Sequence, residues 1–348
     1  MFIRNIWYAA AWSDEVSRTP LARTYLNEPV VLYRKRDGVV VALADVCPHR
    51  FAPLSMGHVI DDDIECGYHG LKFDCSGVCV ANPHGKGIVP RAATVKIYPI
   101  VERDKLVWIW MGDPELADEA TVPDYHWNID KNYREAHGYL RVEANYLLMM
   151  DNLTDLSHAA ILHPTLQGRD LCRAEYHMTE QDEEIWTSQF VPAWEIPDVV
   201  KNLTGQDGPL DQWLEMRYLP PCCMMTVFWL GQPGGTKEEA WNSFNPNIIT
   251  PETDCTTHYF WGTTRNFRLD DDAVTQNFRK GAQLAFENED RPMLEAQQRY
   301  LRSSDLMDLD PVLLSNDSGS ARARRIVQQR LAQEQSAMRA RRQTEPAR

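Results

Sequence analysis

The sequence predicts an α+β protein built as an N-terminal antiparallel β domain followed by a C-terminal α+β domain. Three observations carry that expectation. Short apolar runs broken by turn residues fill the stretch from Val30 to about Trp110, the pattern of strands joined by tight connections. From about residue 125 onward helix-type and strand-type patterns are mixed. Between them, Gly112-Asp113-Pro114 and an acidic stretch reaching Pro123 interrupt both patterns, which divides the chain into 1–115 and 116–348. At 348 residues there is enough chain to bury two cores.

In the first domain Val30 to Tyr33, Val39 to Leu43 and Leu106 to Trp110 read as strands, with Asp37-Gly38 and Ser76-Gly77 as turns between apolar runs. In the second, Asn145 to about Leu162 is helical in character, and Asp211 to Leu230 and Thr256 to Thr263 are strands rich in β-branched and aromatic residues. Ala273 to Arg302 is a long helical stretch. Ser315 to Arg348, rich in Arg and Gln with Ile326, Val327 and Leu331 as a thin apolar stripe, reads as a surface helix with a frayed tail. No internal repeat is found.

Composition excludes several function classes. Acidic residues outnumber basic ones 50 to 36 and the net charge is -14, which argues against nucleic acid as a partner. No apolar run approaches the roughly 20 residues of a membrane span, and the N-terminal segment lacks a secretory apolar core. Cytoplasmic residence is the expectation, and for a chain with eight cysteines in reducing cytosol free thiols, not disulfides, are the norm. Cys75, Cys79, Cys172, Cys222, Cys223 and Cys255 read as buried or inert.

The other two cysteines stand apart. Cys47 precedes His49 by two positions and Cys66 precedes His69 by three, so two short loops each offer one thiolate and one imidazole. Two Cys and two His hold zinc in some proteins; they are also the ligands of a Rieske [2Fe-2S] cluster, where His₂ replaces Cys₂ on one iron. Zinc fingers pair Cys with Cys and His with His, whereas here Cys precedes His twice. Gly67 and Gly70 beside the second pair let backbone N–H groups turn toward cluster sulfurs.

Cys-x-His, sixteen intervening residues and Cys-x-x-His form a spacing that resembles the Rieske non-haem iron oxygenases. The strings Cys47-Pro-His-Arg-Phe-Ala-Pro-Leu-Ser55 and Gly67-Tyr-His-Gly-Leu71 are similar to the oxygenase components of the vanillate and dicamba O-demethylase type. The resemblance begins at Asn5-Ile-Trp7-Tyr8 and extends nearly to the C-terminus. It implies a Rieske domain carrying the cluster on Cys47, His49, Cys66 and His69, and a catalytic domain with mononuclear iron.

The segment Asp151-Asn-Leu-Thr-Asp155-Leu-Ser-His158-Ala-Ala-Ile-Leu-His163 carries a second signal. Two His five positions apart lie about 140° apart on an ideal helix, too far round to share a metal. Pro164 pushes His163 out of the α region, so that it can swing back toward His158. Two imidazoles and a carboxylate make the facial triad of a non-haem Fe(II) site with positions open for O₂. The resemblance implies the rest: Asp290 as the third ligand, with Glu287 and Glu289 as nearby alternatives, and Asn152 close to the iron. It also implies that Asp155 hydrogen-bonds both an iron-ligating His and a Rieske His of a neighbouring subunit, giving a path His69, Asp155, His158 within a homotrimer.

No GxGxxG-type nucleotide motif is present, so electrons come from a separate NAD(P)H-dependent reductase, with flavin and a plant-type ferredoxin centre. The resemblance implies monooxygenation, using O₂, of a methoxy or methyl group on a carboxylated arene, with loss of formaldehyde. Substrate contacts are expected between Cys222 and Phe228, near Asn247, and from Trp261 to Asn266, with Thr226, Asn247 and Trp261 the individual candidates. At Asn247 and Thr226 the chain departs from the dicamba type, which carries His and Asn there. Ring dihydroxylation, ether-bond dioxygenation and N-demethylation stay open on the same iron, as does a simple Rieske electron carrier. The remaining histidines, His58, His84, His126, His137, His177 and His258, show no paired spacing and read as ordinary surface or core residues.

Overall fold

The structure, a computed structural model, describes residues 1–301 and 305–344, and the side chains of 341–344 are not considered. The chain forms two compact units, one from Phe2 to Val122 and one from Pro123 onward. The expected end of the long helical stretch at Arg302 and the frayed tail past Thr344 lie outside the described residues.

The first unit contains three small antiparallel sheets. Strands β1 (Trp7–Trp12), β9 (Ile100–Arg103) and β10 (Leu106–Trp110) form one, in the order β1-β10-β9. Every residue of β1 and β10 is buried. The sequence allows this because Ala9 stands opposite Trp108, a small residue facing a large one, while Trp7 and Trp110 meet edge to face at 5.3 Å. Strands β2 (Leu21–Tyr25), β3 (Glu28–Arg34) and β4 (Val40–Ala44) form the second sheet. Gly38, at φ +91°, makes the turn between β3 and β4. The third is a meander of β5 (His58–Ile60), β6 (Asp63–Glu65), β7 (Lys72–Phe73) and β8 (Cys79–Ala81). One Cys/His loop lies between β4 and β5, the other between β6 and β7.

The second unit is organised by a seven-stranded antiparallel sheet in the order β11-β17-β16-β15-β14-β13-β12. Its strands are β11 (Arg134–Val142), β12 (Tyr176–Gln181), β13 (Glu184–Trp194), β14 (Leu210–Leu219), β15 (Cys223–Gly231), β16 (Trp241–Thr253) and β17 (Thr256–Arg265). Helices α1 (Tyr146–Thr154), α2 (Ala159–Leu162) and α3 (Asp198–Thr204) are inserted between strands. After the sheet come α4 (Asp272–Leu284), a π-helical turn (Ala285–Asp290), α5 (Arg291–Tyr300) and α6 (Ser318–Thr344). The α6 helix is more than a surface helix. Ala323, Ile326 and Val327 are fully buried, and so is Arg324, whose guanidinium grips Asp151 of α1 and also bonds Asp305. No helix among the described residues is long and apolar enough to cross a membrane.

Candidate active site

The two Cys/His loops are the same turn made twice. In each, the Cys N–H donates to the carbonyl five positions on (Cys47 to Ala52, Cys66 to Leu71), and the residue four positions on donates back to the Cys carbonyl (Phe51 and Gly70). That fourth residue is left-handed in both loops, Phe51 at φ +57° and Gly70 at +70°. The backbone thereby presents buried Cys47 and Cys66 side by side, with the rings of His49 and His69 4.6 Å apart at the tip. Burial pushes the Cys47 thiol up, so metal charge is needed to hold it as thiolate. Thiols adjoining thiols and imidazoles adjoining imidazoles suit a two-iron cluster whose irons carry different ligands.

His84, read from sequence as an ordinary residue, donates from Nε2 to the His69 carbonyl at 2.9 Å and steadies the second loop. Nothing in its spacing along the chain distinguishes it; the fold alone brings it to the second loop. Cys79 is buried, with its thiol directed at the Ala81 carbonyl, and Cys75 is exposed; neither joins the four donors.

The second group is assembled from distant segments by interruptions of regular helix. Asn145 caps α1 through Leu147 N–H. The helix then stops at Asp155, whose backbone is extended at φ -111°, ψ 97°. A 3₁₀ turn carrying His158 leads into α2, and His163 leaves helical geometry at φ -114°, ψ 56°, just before Pro164. The rings of His158 and His163 meet at 75° with centroids 5.3 Å apart. Asp290 closes the group from the end of the π turn, where the wider helical winding rotates its carboxylate inward. Its oxygens lie 3.5 Å from His158 Nε2 and 3.3 Å from His163 Nε2, and one donor atom from each residue falls within 4.8 Å of the others.

The surrounding bonds decide which ring nitrogens are free. His158 Nδ1 donates to the Asp155 carbonyl at 2.7 Å, and His163 Nδ1 donates to Glu289 at 2.6 Å. Both Nε2 lone pairs therefore converge with the Asp290 carboxylate on one point, an arrangement a cation completes. Burial alone would raise the Asp290 carboxyl, but the hydrogen bonds and charges of His158 and His163 outweigh it and hold it well below the usual carboxylate range. Burial would lower His163, but Asp290 and then Glu289 raise it. Of the three acidic candidates, Asp290 faces both imidazoles, Glu289 orients His163, and Glu287 turns to Gln283. Asn152 donates to Asp290 at 3.2 Å.

Asp155 departs from the expected pattern. Its carboxylate accepts from Ser157 N–H, Ser157 Oγ and Asn316 Nδ2, while its carbonyl, not its side chain, meets His158. The reason is local: Asp155, extended between two helical turns, directs its carbonyl onward to His158 three residues later and leaves its side chain to cap the next turn.

Beside Asp290 and the two histidines lies a cavity of about 220 Å³ whose wall is largely apolar, with Leu, Phe, Ala, Val and Trp side chains. Thr226 and Asn247 both line it. Asn247 is locked, donating to Thr226 Oγ1 and the Asn245 carbonyl and accepting from Tyr259. Trp261 does not line it. Its indole instead fills the space over Gly138, the residue paired with it on β11, where a Cβ would approach the ring to 2.2 Å. Gly262 and Thr263 reach the cavity from β17 in its place. Gln167 and Gln212, which no sequence pattern marked, also line it.

Comparison with known proteins gives concordant matches. The Rieske [2Fe-2S] domain family matches residues 6–99, and the vanillate O-demethylase oxygenase C-terminal domain family matches residues 142–333. The chain is 41% identical over 330 residues to the oxygenase component of dicamba O-demethylase from Stenotrophomonas maltophilia, covering 94% of this chain and 97% of the relative. It is 41% identical over 330 residues to an iron-sulfur subunit of the toluene-4-sulfonate monooxygenase system of Comamonas testosteroni, covering 92% and 94%. The crystal structure of dicamba monooxygenase with non-heme iron and dicamba superimposes with a TM-score of 0.84 at 38% identity, covering 97% of this chain and 99% of that one.

Proposed function

The chain belongs to the Rieske oxygenases with a vanillate O-demethylase type C-terminal domain, and from that premise we propose that it O-demethylates a methoxylated arene. It is an enzyme, the terminal oxygenase component of a system whose electrons come from a separate reductase. The overall reaction is ArOCH₃ + O₂ + two electrons + two protons giving ArOH + CH₂O + H₂O. The methyl C–H is hydroxylated, and the resulting hemiacetal loses formaldehyde.

The observation that carries this reading is the convergence of His158 Nε2, His163 Nε2 and Asp290 on one point at the wall of an apolar cavity. We assign the mononuclear iron to these three and the [2Fe-2S] cluster to Cys47, His49, Cys66 and His69. When bound, iron with a facial triad leaves positions open for O₂ and substrate, and the cluster stores an electron. The protein's own groups do the rest. The Asp155 carbonyl and Glu289 fix the imidazole orientations, Asn152 steadies Asp290, and the apolar lining excludes water and seats the ring. Asp155 serves as the link between centres, its carbonyl on His158 and its carboxylate toward a Rieske His69 of a neighbouring subunit, which requires a ring of subunits, a homotrimer in this reading. The reductase carries flavin and a plant-type ferredoxin centre and draws on NAD(P)H. The six cysteines outside the cluster are free thiols, which fits a cytoplasmic enzyme.

The test is metal analysis with visible and paramagnetic-resonance spectra on anaerobically purified protein, followed by formaldehyde assays on methoxyarenes with a reductase. About three irons and two labile sulfides per chain are expected, with a reduced Rieske signal. Colourless protein with zinc, or a loaded enzyme that releases no formaldehyde from any methoxyarene, overturns the assignment.

A further inference from the structure

The cavity beside the iron-ligand candidates is long, and two elements measure it. On α4 and the π turn that follows, Asn277, Phe278, Gly281, Ala282, Ala285 and Asp290 all line it. From Asn277 to Asp290 the helical rise is about 18–20 Å. On β16, Trp241 and Asn247 line it, and an extended strand separates them by roughly 20 Å. The two lengths run side by side. Phe286, just before Asp290, packs on Tyr259 at 5.1 Å, and Tyr259 bonds Asn247, so Asp290 and Asn247 share one end. Phe278 meets Phe267 at 6.0 Å and Phe267 stacks on Trp241 at 5.3 Å, so the starts of α4 and β16 share the other. A single methoxylated ring placed against His158, His163 and Asp290 fills about half of this length.

The far end suits a second ring. Trp241, Phe267 and Phe278 all line the cavity there, and Trp241 and Phe278 are only half-buried. Aromatic surface left partly bare in a cavity takes a further ring stacked or edge to face. Between the two ends stands Gly281. Glycine inside a helix costs about 0.5–1 kcal/mol relative to alanine, and no neighbour demands it here. A Cβ at Gly281 would meet nothing within 4 Å beyond its own helix, whereas at Gly319 of α6 it would approach Tyr176 Oη and Thr187 Cγ2 to 2.7 Å. Gly281 lies within the lining stripe of α4, one turn after Asn277 and one turn before Ala285, so the missing side chain faces the cavity. Its absence keeps the bore open at mid-length.

We propose that the substrate is a methoxyarene extended in line by a second aromatic ring, with its methyl at the His158, His163 and Asp290 end and its second ring against Trp241, Phe267 and Phe278. Gly281 is the specificity-determining residue that leaves room for it. The inference rests on the proposed function only in taking this cavity as the substrate site of an O-demethylase.

Two neutral probes that differ by one ring decide it, 4-methoxyphenol and 4'-methoxybiphenyl-4-ol. Each is titrated calorimetrically into anaerobic enzyme loaded with cluster and iron. The biphenyl is expected to bind at least about tenfold more tightly. Gly281→Leu sets a helix-favouring side chain in the bore and should cut that ratio to about threefold or less. Phe278→Ala leaves the bore open and should lower the ratio at least about twofold. A smaller ratio in the unmodified enzyme, a ratio that survives Gly281→Leu, a ratio unchanged by Phe278→Ala, or no binding of either probe overturns the inference. Formaldehyde release with a reductase judges the reaction separately. 4-Methoxyphenol demethylated with no preference for the biphenyl sinks the length inference and leaves O-demethylation standing. A biphenyl preference that Gly281→Leu removes, without formaldehyde from any methoxyarene, does the reverse.

Discussion

In the Cys/His loops the main chain does the positioning, through one hydrogen-bond pattern used twice within the stretch Cys47 to Leu71, whereas at the His–His–Asp group the positioning falls to breaks in helices and to side chains from far along the chain. Asn152 and Asp290 are 138 residues apart, and Asn316 reaches Asp155 across 161. The loops carry their geometry with them. The iron site depends on three separate departures from regular helix, at Asp155, at His163 before Pro164, and in the π turn before Asp290. A site of the second kind is expected to fail by single changes that leave the first untouched.

The largest expected effect is on the proposed link between the centres. Asp155→Asn keeps an acceptor for Ser157 N–H but removes the charge, and turnover should fall at least about a hundredfold with both metals retained. Normal coupled activity at full iron content would rule out the link. Next, deleting Asn288 shortens the π turn to ordinary helix and swings Asp290 about 100° away from the imidazoles. Iron should drop from about three to about two per chain with the cluster's absorption unchanged; retention of all the iron would mean that Glu287 or Glu289 can substitute. In the loops, Gly70→Ala puts a Cβ 3.0 Å from Pro83 Cγ at a left-handed position, costing about 1–2 kcal/mol. Thermal bleaching of the cluster should begin at a lower temperature while the mononuclear iron is kept.

The smallest effect tests the sheet beneath the loops. Glu28, at the start of β3, bonds Arg4, Lys96 and Tyr98. Burial would raise its carboxyl, but these partners outweigh burial and lower it below 4.5. A lowered native value stabilises the fold above pH 4.5 and loses that contribution as the pH falls through the native value. Glu28→Gln should therefore cost about 0.5–1 kcal/mol at neutral pH and nothing once the carboxyl is protonated; denaturant melts at both pH values check the sign.

The same contrast explains what was legible in the sequence. Cys47, His49, Cys66 and His69 announce themselves because their offsets within a loop are the geometry. His158 and His163 were readable because Pro164 marks where the helix must end. Asp290 came from the family resemblance, since nothing in Phe286-Glu-Asn-Glu-Asp290 distinguishes three carboxylates until the π turn orients them. The strands of both units follow from their apolar runs, but the sheet order does not, and neither does the burial of Arg324 in a helix that reads as solvated. Trp261 was misplaced because one strand position says nothing of the glycine opposite it. Gln167 and Gln212, which line the cavity, carry no pattern in the sequence at all.

Arg324 has a consequence in time as well as in space. Its grip on Asp151 means that the helix leading to His158 is secured only once α6 has been made, whereas the Cys/His loops need nothing beyond the first unit. Chains grow from the N-terminus and domains fold as they appear. Cluster insertion can thus begin on the nascent chain, while iron loading waits for nearly the last helix, so protein caught part-way through assembly would be already coloured and not yet active.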